Sequence, residues 1–324
     1  MQVNVKVKRF NPETDNRDSS RYQEYSLEME SYATVLDALI QVREEVDGSL
    51  ALRCSCRSAI CGSCAMRING HASLACKTKV VELAPKGEQI LVEPMGNMPL
   101  IKDLVTDMQP FWNKVKAVKP WLMPSGPPPE GEYIAPNSAM LDLAGVMNCI
   151  MCGACVSDCT SLEVHEAFLG PAALAKAYRF IGDPRDDADE ERLKDLTEHP
   201  GGIWHCTHCF ECVQVCPKGV APMERILALR REAVEAGYTD NNGTRHSDSF
   251  AKSVKNSGWL NETKLAVDSY GGIFNVKEML RLTPTAIRAT RKGKSKPWLA
   301  LGIGHHSRPK AKNVKKIFEK LESK

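Results

Sequence analysis

Two stretches at the start of the chain alternate apolar and polar side chains, which is the period of a half-buried β-strand. Residues 2–10, QVNVKVKRF, predict a first strand, and residues 22–29 predict its antiparallel partner. From residue 35 the apolar spacing changes to three and four. Thr34 stands where a helix N-cap belongs, and Gly48 lies beyond the expected helix end. These elements predict a small sheet that packs against one helix.

The alternating pattern returns at residues 65–69 and 89–94, which predict two more short strands of the same mixed sheet. Residues 100–118 predict a helix. This segment leads into residues 120–136, which contain six prolines and can be neither regular helix nor regular sheet. That composition predicts an extended linker.

From residue 137 the chain changes to helical periodicity. Amphipathic segments predict helices at 138–147, 171–181, 188–197 and 222–236. In the last part of the chain, further helices are predicted at 261–270, 275–282 and 310–322, interrupted at Gly271, Gly272, Pro284 and Pro297. The pattern therefore predicts an α+β fold with four regions, namely 1–100, 101–137, 138–237 and 238–324.

The amino-acid composition indicates the class of protein and the cellular compartment to expect. The chain has 324 residues, of which 43% are hydrophobic, as in ordinary globular proteins with more than one core. No apolar run approaches the roughly 18 residues that cross a bilayer, and residues 1–10 lack the apolar stretch of a secretion signal. Thirteen cysteines without such a signal favour reduced thiols in the cytoplasm.

Charge is distributed unevenly along the chain. Residues 291–324 contain 11 Lys or Arg and two Glu, although the whole chain has a net charge of only +3. A basic tail on an acidic body favours docking to an acidic partner or to an anionic lipid surface. A solvated basic helix is the alternative. Binding to nucleic acid is not expected, because no recognition motif accompanies the charge.

Twelve cysteines fall into three groups of regular spacing. The first group has the plant-type spacing of a [2Fe–2S] cluster and consists of Cys56, Cys61, Cys64 and Cys76. Its loop also contains three small residues that let backbone N–H groups approach the sulfur atoms, namely Ala59, Gly62 and Ser63. A zinc site is the alternative, but zinc usually takes two Cys-x2-Cys pairs. Cys54 lies outside the spacing and is interpreted as a bystander.

The other two groups repeat one spacing, C-x2-C-x2-C-x3-C, 57 residues apart. This is the bacterial ferredoxin run for cubane clusters, in which the fourth cysteine of each run binds the other cluster. The rule assigns one cluster to Cys149, Cys152, Cys155 and Cys216. It assigns the other cluster to Cys206, Cys209, Cys212 and Cys159.

Three cysteine motifs follow one another along the chain: CRSAICGSCAMRINGHASLAC, NCIMCGACVSDC and CTHCFECVQVCPKG. In this order they resemble the iron–sulfur subunit of succinate dehydrogenase and fumarate reductase, also called complex II. The resemblance covers about residues 1–235. It implies an N-terminal β-grasp [2Fe–2S] ferredoxin domain and an all-α ferredoxin-like domain with two cubane-type clusters. A helical C-terminal extension would follow.

The resemblance also implies a role and a set of partners. A flavoprotein partner would oxidise succinate at FAD and pass electrons through the three clusters toward quinone, or the flow would run in reverse to fumarate. Anchor subunits would hold the chain at the inner face of the membrane, and the chain itself would contain no catalytic residue. The alternatives are a subunit of a heterodisulfide or thiol:fumarate reductase and, from another class, a zinc-stabilised binding module.

Two departures from the family pattern change these expectations. The family commonly has a residue other than cysteine at position 209 and a [3Fe–4S] cluster there. Here Cys209 is present, so we expect [4Fe–4S]; a Cys209 that turns away from a three-iron cluster is the alternative. The family's quinone pocket uses a Trp and a His at the positions of Val164 and Thr207, so the resemblance does not extend to these pocket residues. His205 and His208 lie nearby in sequence as substitutes.

The extension carries a second resemblance. The segment GWLNETKLAVDSYGGIFNVKEMLRLTPTAIRATRKGK is similar to the C-terminal region of heterodisulfide-reductase-type iron–sulfur subunits, and to complex II variants whose anchor is soluble and cysteine-rich. We hypothesise that residues 238–324 dock such an anchor. His305 and His306 are interpreted as a surface pair, because no further metal ligand lies at a suitable spacing.

Overall fold

A five-stranded mixed sheet occupies the start of this computed structural model, which describes residues 1–15, 20–127, 129–294, 296, 309 and 311–323. In chain order the strands are β1 (Gln2–Arg9), β2 (Arg21–Glu28), β3 (Ala65–Ile68), β4 (His71–Leu74) and β5 (Gln89–Glu93). Side by side they run β2-β1-β5-β3-β4, with β1 and β5 parallel and the other neighbours antiparallel. The predicted mixed sheet is confirmed. Of its five strands, only β4 was not predicted from the alternating pattern.

Helix α1 (Val35–Gln41) shares a hydrophobic core with the sheet and continues as one π-helical turn, Val42–Val46. Its start is the predicted one. The hydroxyl of Thr34 accepts a hydrogen bond from the N–H of Asp37, and the Asp37 carboxylate accepts one from the N–H of Thr34. This reciprocal capping satisfies two backbone donors that a helix start otherwise leaves free. A second short helix, α2 (Val80–Leu83), follows β4.

The helix predicted for 100–118 is wrong in its first half. The carboxylate of Asp103, which is 2% exposed, accepts hydrogen bonds from the side chain of Arg9 and from the N–H groups of Phe10 and Ala51. These partners fix a turn with a φ of +45° at Asp103, in conflict with the local helical spacing. The observed elements are β6 (Leu100–Lys102), β7 (Val105–Thr106) and α3 (Gln109–Ala117).

Helices dominate from residue 137 onward. In chain order they are α4 (Asn137–Met147), α5 (Ala154–Ser157), α6 (Thr160–Val164), α7 (Pro171–Ile181), α8 (Asp189–Glu198), α9 (Glu211–Gln214) and α10 (Pro222–Glu235). The four longer helices, α4, α7, α8 and α10, match the predicted segments within one or two residues. The other three have only four or five residues, which is too short for a helical period to show in the sequence.

The proline-rich stretch has no helix or strand in its described part, but its start is bound to α8. Arg192, which is 3% exposed, pairs with Asp186 and donates hydrogen bonds to the carbonyl oxygens of Lys119 and Trp121. The carboxylate of Asp186 also accepts the N–H of Met123 at 2.9 Å. The segment is therefore extended, as predicted, yet it is not a free linker at this end.

The structure divides into one unit, Met1–Glu232, and a second, Ala233–Lys324, with the boundary inside α10. The second unit contains α11 (Asn242–Ser257), α12 (Glu262–Ser269), α13 (Val276–Arg291) and α14 (Ala311–Glu322). Helix α11 was not predicted, because its sequence is mostly polar and contains few large apolar residues. No helix in the described part of the chain is long and apolar enough to cross a bilayer.

Helix α13 contradicts the predicted break at Pro284, since it runs through that residue. Asn275 caps its first turn by accepting the N–H of Glu278. A proline inside a helix removes one backbone donor and bends the helix without necessarily ending it. The break predicted at Pro297 and the pair His305 and His306 lie outside the described residues.

Candidate metal centres

The loop between α1 and β3 directs backbone N–H groups at the first set of thiols. Cys56 Sγ accepts three of them, and the nearest, from Cys61, lies at 3.3 Å. Cys76 Sγ accepts the N–H of Ala59, also at 3.3 Å. Ala59 and Gly62 adopt left-handed backbone, which lets the loop turn this tightly. Donors arranged in this way stabilise negative charge on sulfur. The small residues of the loop had predicted this close approach of backbone N–H groups to the sulfur atoms.

Two thiols of the first set have pKa values shifted in opposite directions. The hydroxyl of Ser63 lies 3.1 Å from Cys61 Sγ and lowers the pKa of that exposed thiol to about 6. Burial raises the pKa of Cys64 to about 12. A coordinating metal removes this penalty, because a thiol bound to a metal is deprotonated outright. The four thiols and their N–H donors fit a [2Fe–2S] cluster.

Three cysteines of the first run and one of the second line a single apolar cavity in the helical region. They are Cys149, Cys152, Cys155 and Cys216, and side chains such as Ala172, Ala175 and Val220 complete the wall. This is the set that the crossed rule of two-cluster ferredoxins predicts. Burial raises the pKa of Cys152 and raises that of Cys155 well above its ordinary value. The donor set fits a cubane cluster.

The third set gathers Cys159 with the second run. Burial raises the pKa of Cys159 and of Cys206 and takes that of Cys212 to about 12, and negative charge on neighbouring thiols of the same set adds to each rise. At Cys209 burial also acts to raise the pKa, but hydrogen bonds from Thr160 outweigh it and the net shift is downward. Cys209 is exposed, yet its charge acts on both Cys159 and Cys212. The four thiols therefore lie close enough for their charges to influence one another.

The two cubane runs repeat in backbone as well as in spacing. Two residues after the first cysteine, Met151 and His208 both have left-handed backbone, with φ of 55° and 57°. Two residues further on, Gly153 and Phe210 do so as well, with φ of 82° and 68°. A short helix then begins in each run, α5 in the first and α9 in the second. The same turn thus presents three thiols twice.

The three sets are neighbours in a row. A methyl group built on Gly62, in the first set's loop, would lie 2.6 Å from Cβ of Cys152 in the second set. Cys155 of the second set is in turn influenced by the charge of Cys212 in the third. Asn97, just beyond the sheet, donates hydrogen bonds at 2.9 to 3.1 Å to the carbonyl oxygens of three residues of the helical region, Val156, Ser157 and Cys159. The loops are therefore held together by direct contacts.

Two family models match the chain. One, described as a 2Fe-2S iron-sulfur cluster binding domain, matches residues 4–113, and the other, a 4Fe-4S dicluster domain, matches residues 145–220. The first range contains the plant-type cysteine group. The second contains both cubane runs.

Known relatives place the chain more closely. The succinate dehydrogenase iron-sulfur subunit of Paracoccus denitrificans is 38% identical, in a match that covers 71% of this chain and 89% of the relative. The fumarate reductase iron-sulfur subunit of Mycobacterium tuberculosis is also 38% identical, with 71% and 92% covered. The chain belongs to this family of iron–sulfur subunits. It is an electron-transfer subunit, as the motifs predicted.

Two further matches concern the extension and the fold. The 8-methylmenaquinol:fumarate reductase iron-sulfur subunit of Wolinella succinogenes is 34% identical, and the match covers 84% of this chain and 85% of the relative. The matched part of this chain is longer than the first unit, Met1–Glu232, so the match must extend into the second unit. A chain of the Mycobacterium smegmatis Sdh1 complex in the apo form is similar in fold, with a TM-score of 0.65 at 24% identity; the match covers 74% of this chain and 98% of that chain.

The resemblance assigns quinone-pocket residues to the positions of Val164 and Thr207. Val164 is 83% exposed, and the N–H of Thr207 donates to the hydroxyl of Ser161 at 3.3 Å. His205 stacks on His165 with ring centroids 4.8 Å apart. Burial lowers the pKa of His205, and His165 adds to the shift. Neither position holds the Trp or His of the family pattern, and a histidine pair occupies this face instead.

Sequence reasoning missed the side chain that braces the third set. Arg230 of α10 donates hydrogen bonds to the carbonyl oxygens of Ile203 and Cys206 at 2.7 and 2.9 Å, and its guanidinium lies over the ring of Trp204. Its Nη1 also lies 2.6 Å from Nε2 of His208, which accepts that hydrogen bond when the ring is neutral. Burial lowers the pKa of His208, and Arg230 lowers it further. An arginine in a helix carries no sequence signal for such a role.

Proposed function

We propose that this iron–sulfur subunit carries electrons one at a time from an FAD-bearing partner through three clusters toward quinone. The complex would be of succinate dehydrogenase or fumarate reductase type. The observation that carries the proposal is that the three thiol sets are neighbours: the first loop meets Cys152 at Gly62, and α5, which contains Cys155, packs against α9, which contains Cys212. Bound clusters supply the one-electron chemistry. The chain supplies the thiolates, their N–H donors and the spacing.

The ligand sets are part of this proposal. The [2Fe–2S] cluster takes Cys56, Cys61, Cys64 and Cys76. A [4Fe–4S] cluster takes Cys149, Cys152, Cys155 and Cys216. The third centre takes Cys206, Cys209, Cys212 and Cys159. Burial of several of these thiols supports the assignment, because iron compensates the charge that an apolar site otherwise disfavours.

The third centre is proposed as [4Fe–4S] rather than [3Fe–4S]. Support comes from Cys209, whose charge acts on the other thiols of the set and whose pKa is lowered by hydrogen bonds from Thr160. A low pKa favours the thiolate that binds iron. Electron paramagnetic resonance of the oxidised protein tests this assignment. A strong signal from an oxidised three-iron cluster would contradict it.

The proposed partners are an FAD-containing subunit on one side and one or more anchor subunits on the other. Through them the chain would lie on the inner face of the membrane. Residues 238–324 are proposed to dock the anchor, which is either membrane-embedded or soluble and cysteine-rich. A chain truncated after residue 237 should then keep the flavoprotein and lose the anchor during purification. Unchanged assembly of the truncated chain would remove this part of the proposal.

The match that reaches into the second unit favours a more specific candidate. It is to a subunit whose printed name is 8-methylmenaquinol:fumarate reductase. We therefore hold a quinol-dependent fumarate reductase as the second candidate function. Assaying the intact complex in both directions separates the two, since a fumarate reductase should reduce fumarate with a low-potential quinol faster than it oxidises succinate.

Purification of the intact complex under anaerobic conditions tests the main proposal. We expect a brown protein with about ten iron and ten sulfide per copy of this chain, the sum of one [2Fe–2S] and two [4Fe–4S] clusters. An FAD-bearing chain should purify with it. A colourless chain that contains zinc and no iron would instead support a zinc-stabilised binding module.

A further inference from the structure

Helix α13 (Val276–Arg291) has no buried residue along its 16 positions. Its apolar side chains nevertheless recur with the spacing of one helical face, at Val276, Leu280 and Ile287. Leu280 is 68% exposed and Val276 is 65% exposed. Just before the helix, Phe274 is 91% exposed. The described structure thus presents a continuous apolar row to solvent.

A row of cations lies beside this apolar row. Lys277, Arg281 and Arg288 are separated by four and seven residues, so they share a face about 100° around the helix from the apolar one. Arg281 lies 3.7 Å from Glu278, which is the only acidic residue of α13. The positive charge continues past the helix end with Lys292 and Lys294.

The helix gains little stability from within the chain. An isolated helix of about 12 to 15 residues is marginal in water, and a proline in its interior removes a backbone hydrogen bond. Pro284 stands in the interior of α13, and the helix buries no side chain that would offset the loss. A surface that covers the apolar row would supply the missing stabilisation.

We propose that α13, together with Phe274, lies in the headgroup region of an anionic phospholipid bilayer. The apolar row would enter the boundary with the acyl chains. The neighbouring arginines and lysines would contact phosphate and other anionic headgroups, as in interfacial amphipathic helices. This inference concerns a face of the chain itself and requires neither a partner subunit nor a bound cluster.

The charge pattern favours lipid over an acidic protein as the occupant. A protein groove that receives a helix commonly matches it with discrete charges of both signs. From Met279 to Lys294 the chain contains three Arg, two Lys and no acidic residue. A long row of positive side chains suits an anionic lipid surface, whose negative headgroups are mobile and do not occupy fixed positions.

Vesicle binding by the full chain, purified anaerobically without its partners, tests the proposal. Vesicles of phosphatidylcholine with 30% phosphatidylglycerol would be compared with vesicles of phosphatidylcholine alone, at low and high salt. We expect at least tenfold stronger binding to the anionic vesicles at low salt, and most of that difference should disappear at high salt because the headgroup charge is screened.

Two matched variants separate the apolar face from net charge. Ile287→Glu and Thr285→Glu add the same charge two positions apart on exposed sites of α13, but only Ile287 belongs to the apolar row. Ile287→Glu should weaken binding to anionic vesicles at least tenfold, and Thr285→Glu by no more than about threefold. Circular dichroism and iron content should be unchanged in both, since neither side chain is buried.

Three outcomes would overturn the proposal. The first is equal binding to neutral and anionic vesicles, and the second is equal loss in the two variants. The third is no vesicle binding by a chain that instead forms an α13-dependent complex with an acidic protein. None of these results bears on the electron relay, which is measured separately through iron content and turnover.

Discussion

The two cubane runs have the same spacing and the same turn, but they lie in different surroundings. In the first run, the α-carbon of Gly153 faces the terminal methyl groups of Met98, Met108 and Met95, and the thiols line an apolar cavity. In the second run, the equivalent residue is Phe210, which is 52% exposed. Cys209 is exposed as well.

Because the surroundings differ, the same cysteine motif can occupy two different positions in the proposed relay. The first run is covered by the sheet domain through Gly62 and Asn97, so its centre lies between the other two. In the second run Cys209 is exposed, whereas Cys212 is buried and the carbonyl oxygen of Cys206 accepts a hydrogen bond from Arg230. Exposure and nearby charge are among the levers that set the potential of an iron–sulfur cluster. In the proposed relay, the run that contains the exposed Cys209 would be the exit toward an acceptor.

Removing one thiol from each run should give the largest contrast. Cys155→Ala removes a thiol that lines the apolar cavity, so we expect loss of the whole central cluster, about four of about ten irons, and of all electron transfer to quinone. Cys209→Ala removes the exposed thiol of the third set and leaves three ligands, so we expect loss of about one iron and a new three-iron signal. Iron counts and electron paramagnetic resonance measure both. Equal iron loss in the two variants would show that the runs do not differ as described.

A methyl group at Gly62 should rank second in effect. Gly62→Ala forces the new Cβ against the Cβ and Cα of Cys152, at 2.6 and 2.9 Å, so one of the two loops must move. Gly70→Ala is the matched control, because Gly70 has a similar φ of 86° but nothing within 4 Å of the new group. We expect several-fold slower electron transfer from flavin to quinone in the first variant only, measured by turnover of the complex.

If the Gly70 variant slows turnover as much, left-handed backbone strain alone explains the result and the contact with Cys152 does not matter. Strain at such a position costs roughly 1 kcal/mol in either variant.

Neutralising Arg230 should have a moderate and local effect. Arg230→Gln removes a cation beside Cys206 and so favours the oxidised, more positive cluster, which lowers its potential by an amount on the order of tens of mV. The central cluster should shift much less. Arg230→Lys keeps the charge and should restore most of the potential. A redox titration followed by electron paramagnetic resonance gives both values, and identical shifts in the two cubane centres would contradict a local role.

Exchanging the equivalent residues Gly153 and Phe210 for alanine should give the smallest effect. Gly153→Ala places a side chain in left-handed backbone, with its Cβ 2.7 Å from Met98 Cε, so we expect a loss of about 1–2 kcal/mol and a few degrees in apparent Tm. Phe210→Ala keeps the same backbone and removes a half-exposed ring, so its Tm should fall by less. Thermal unfolding of the anaerobic protein tests the order, and a larger fall for Phe210→Ala would reverse it.

Cysteine spacing predicted much of the candidate site, because most of the proposed ligands of a cluster lie within a few residues of one another in the sequence. The turn C-x2-C-x2-C brings three thiols together wherever it occurs, and the crossing of Cys159 and Cys216 follows from the two-cluster rule. The strand β1 and the capped start of α1 were equally local, since alternation and Thr34 decide them. Their outcome depended on neighbours a few residues away.

Other features depended on contacts that spacing does not encode. The helix expected at 100–118 gave way to a hairpin because Asp103 binds Arg9, Phe10 and Ala51, residues about 50 to 90 positions distant. The brace from Arg230 to Cys206 and the contact of Gly62 with Cys152 are similar cases.

The order and spacing of the cysteines were enough to predict the family and to propose the cluster ligands, because both depend on motifs that are local in the sequence. The folded structure was needed to show that the loop at Gly62 meets Cys152 and that Cys209 is exposed while Cys159 and Cys212 are buried. Those properties arise when segments far apart in the chain exclude water from one another, and such burial is a property of the packed molecule.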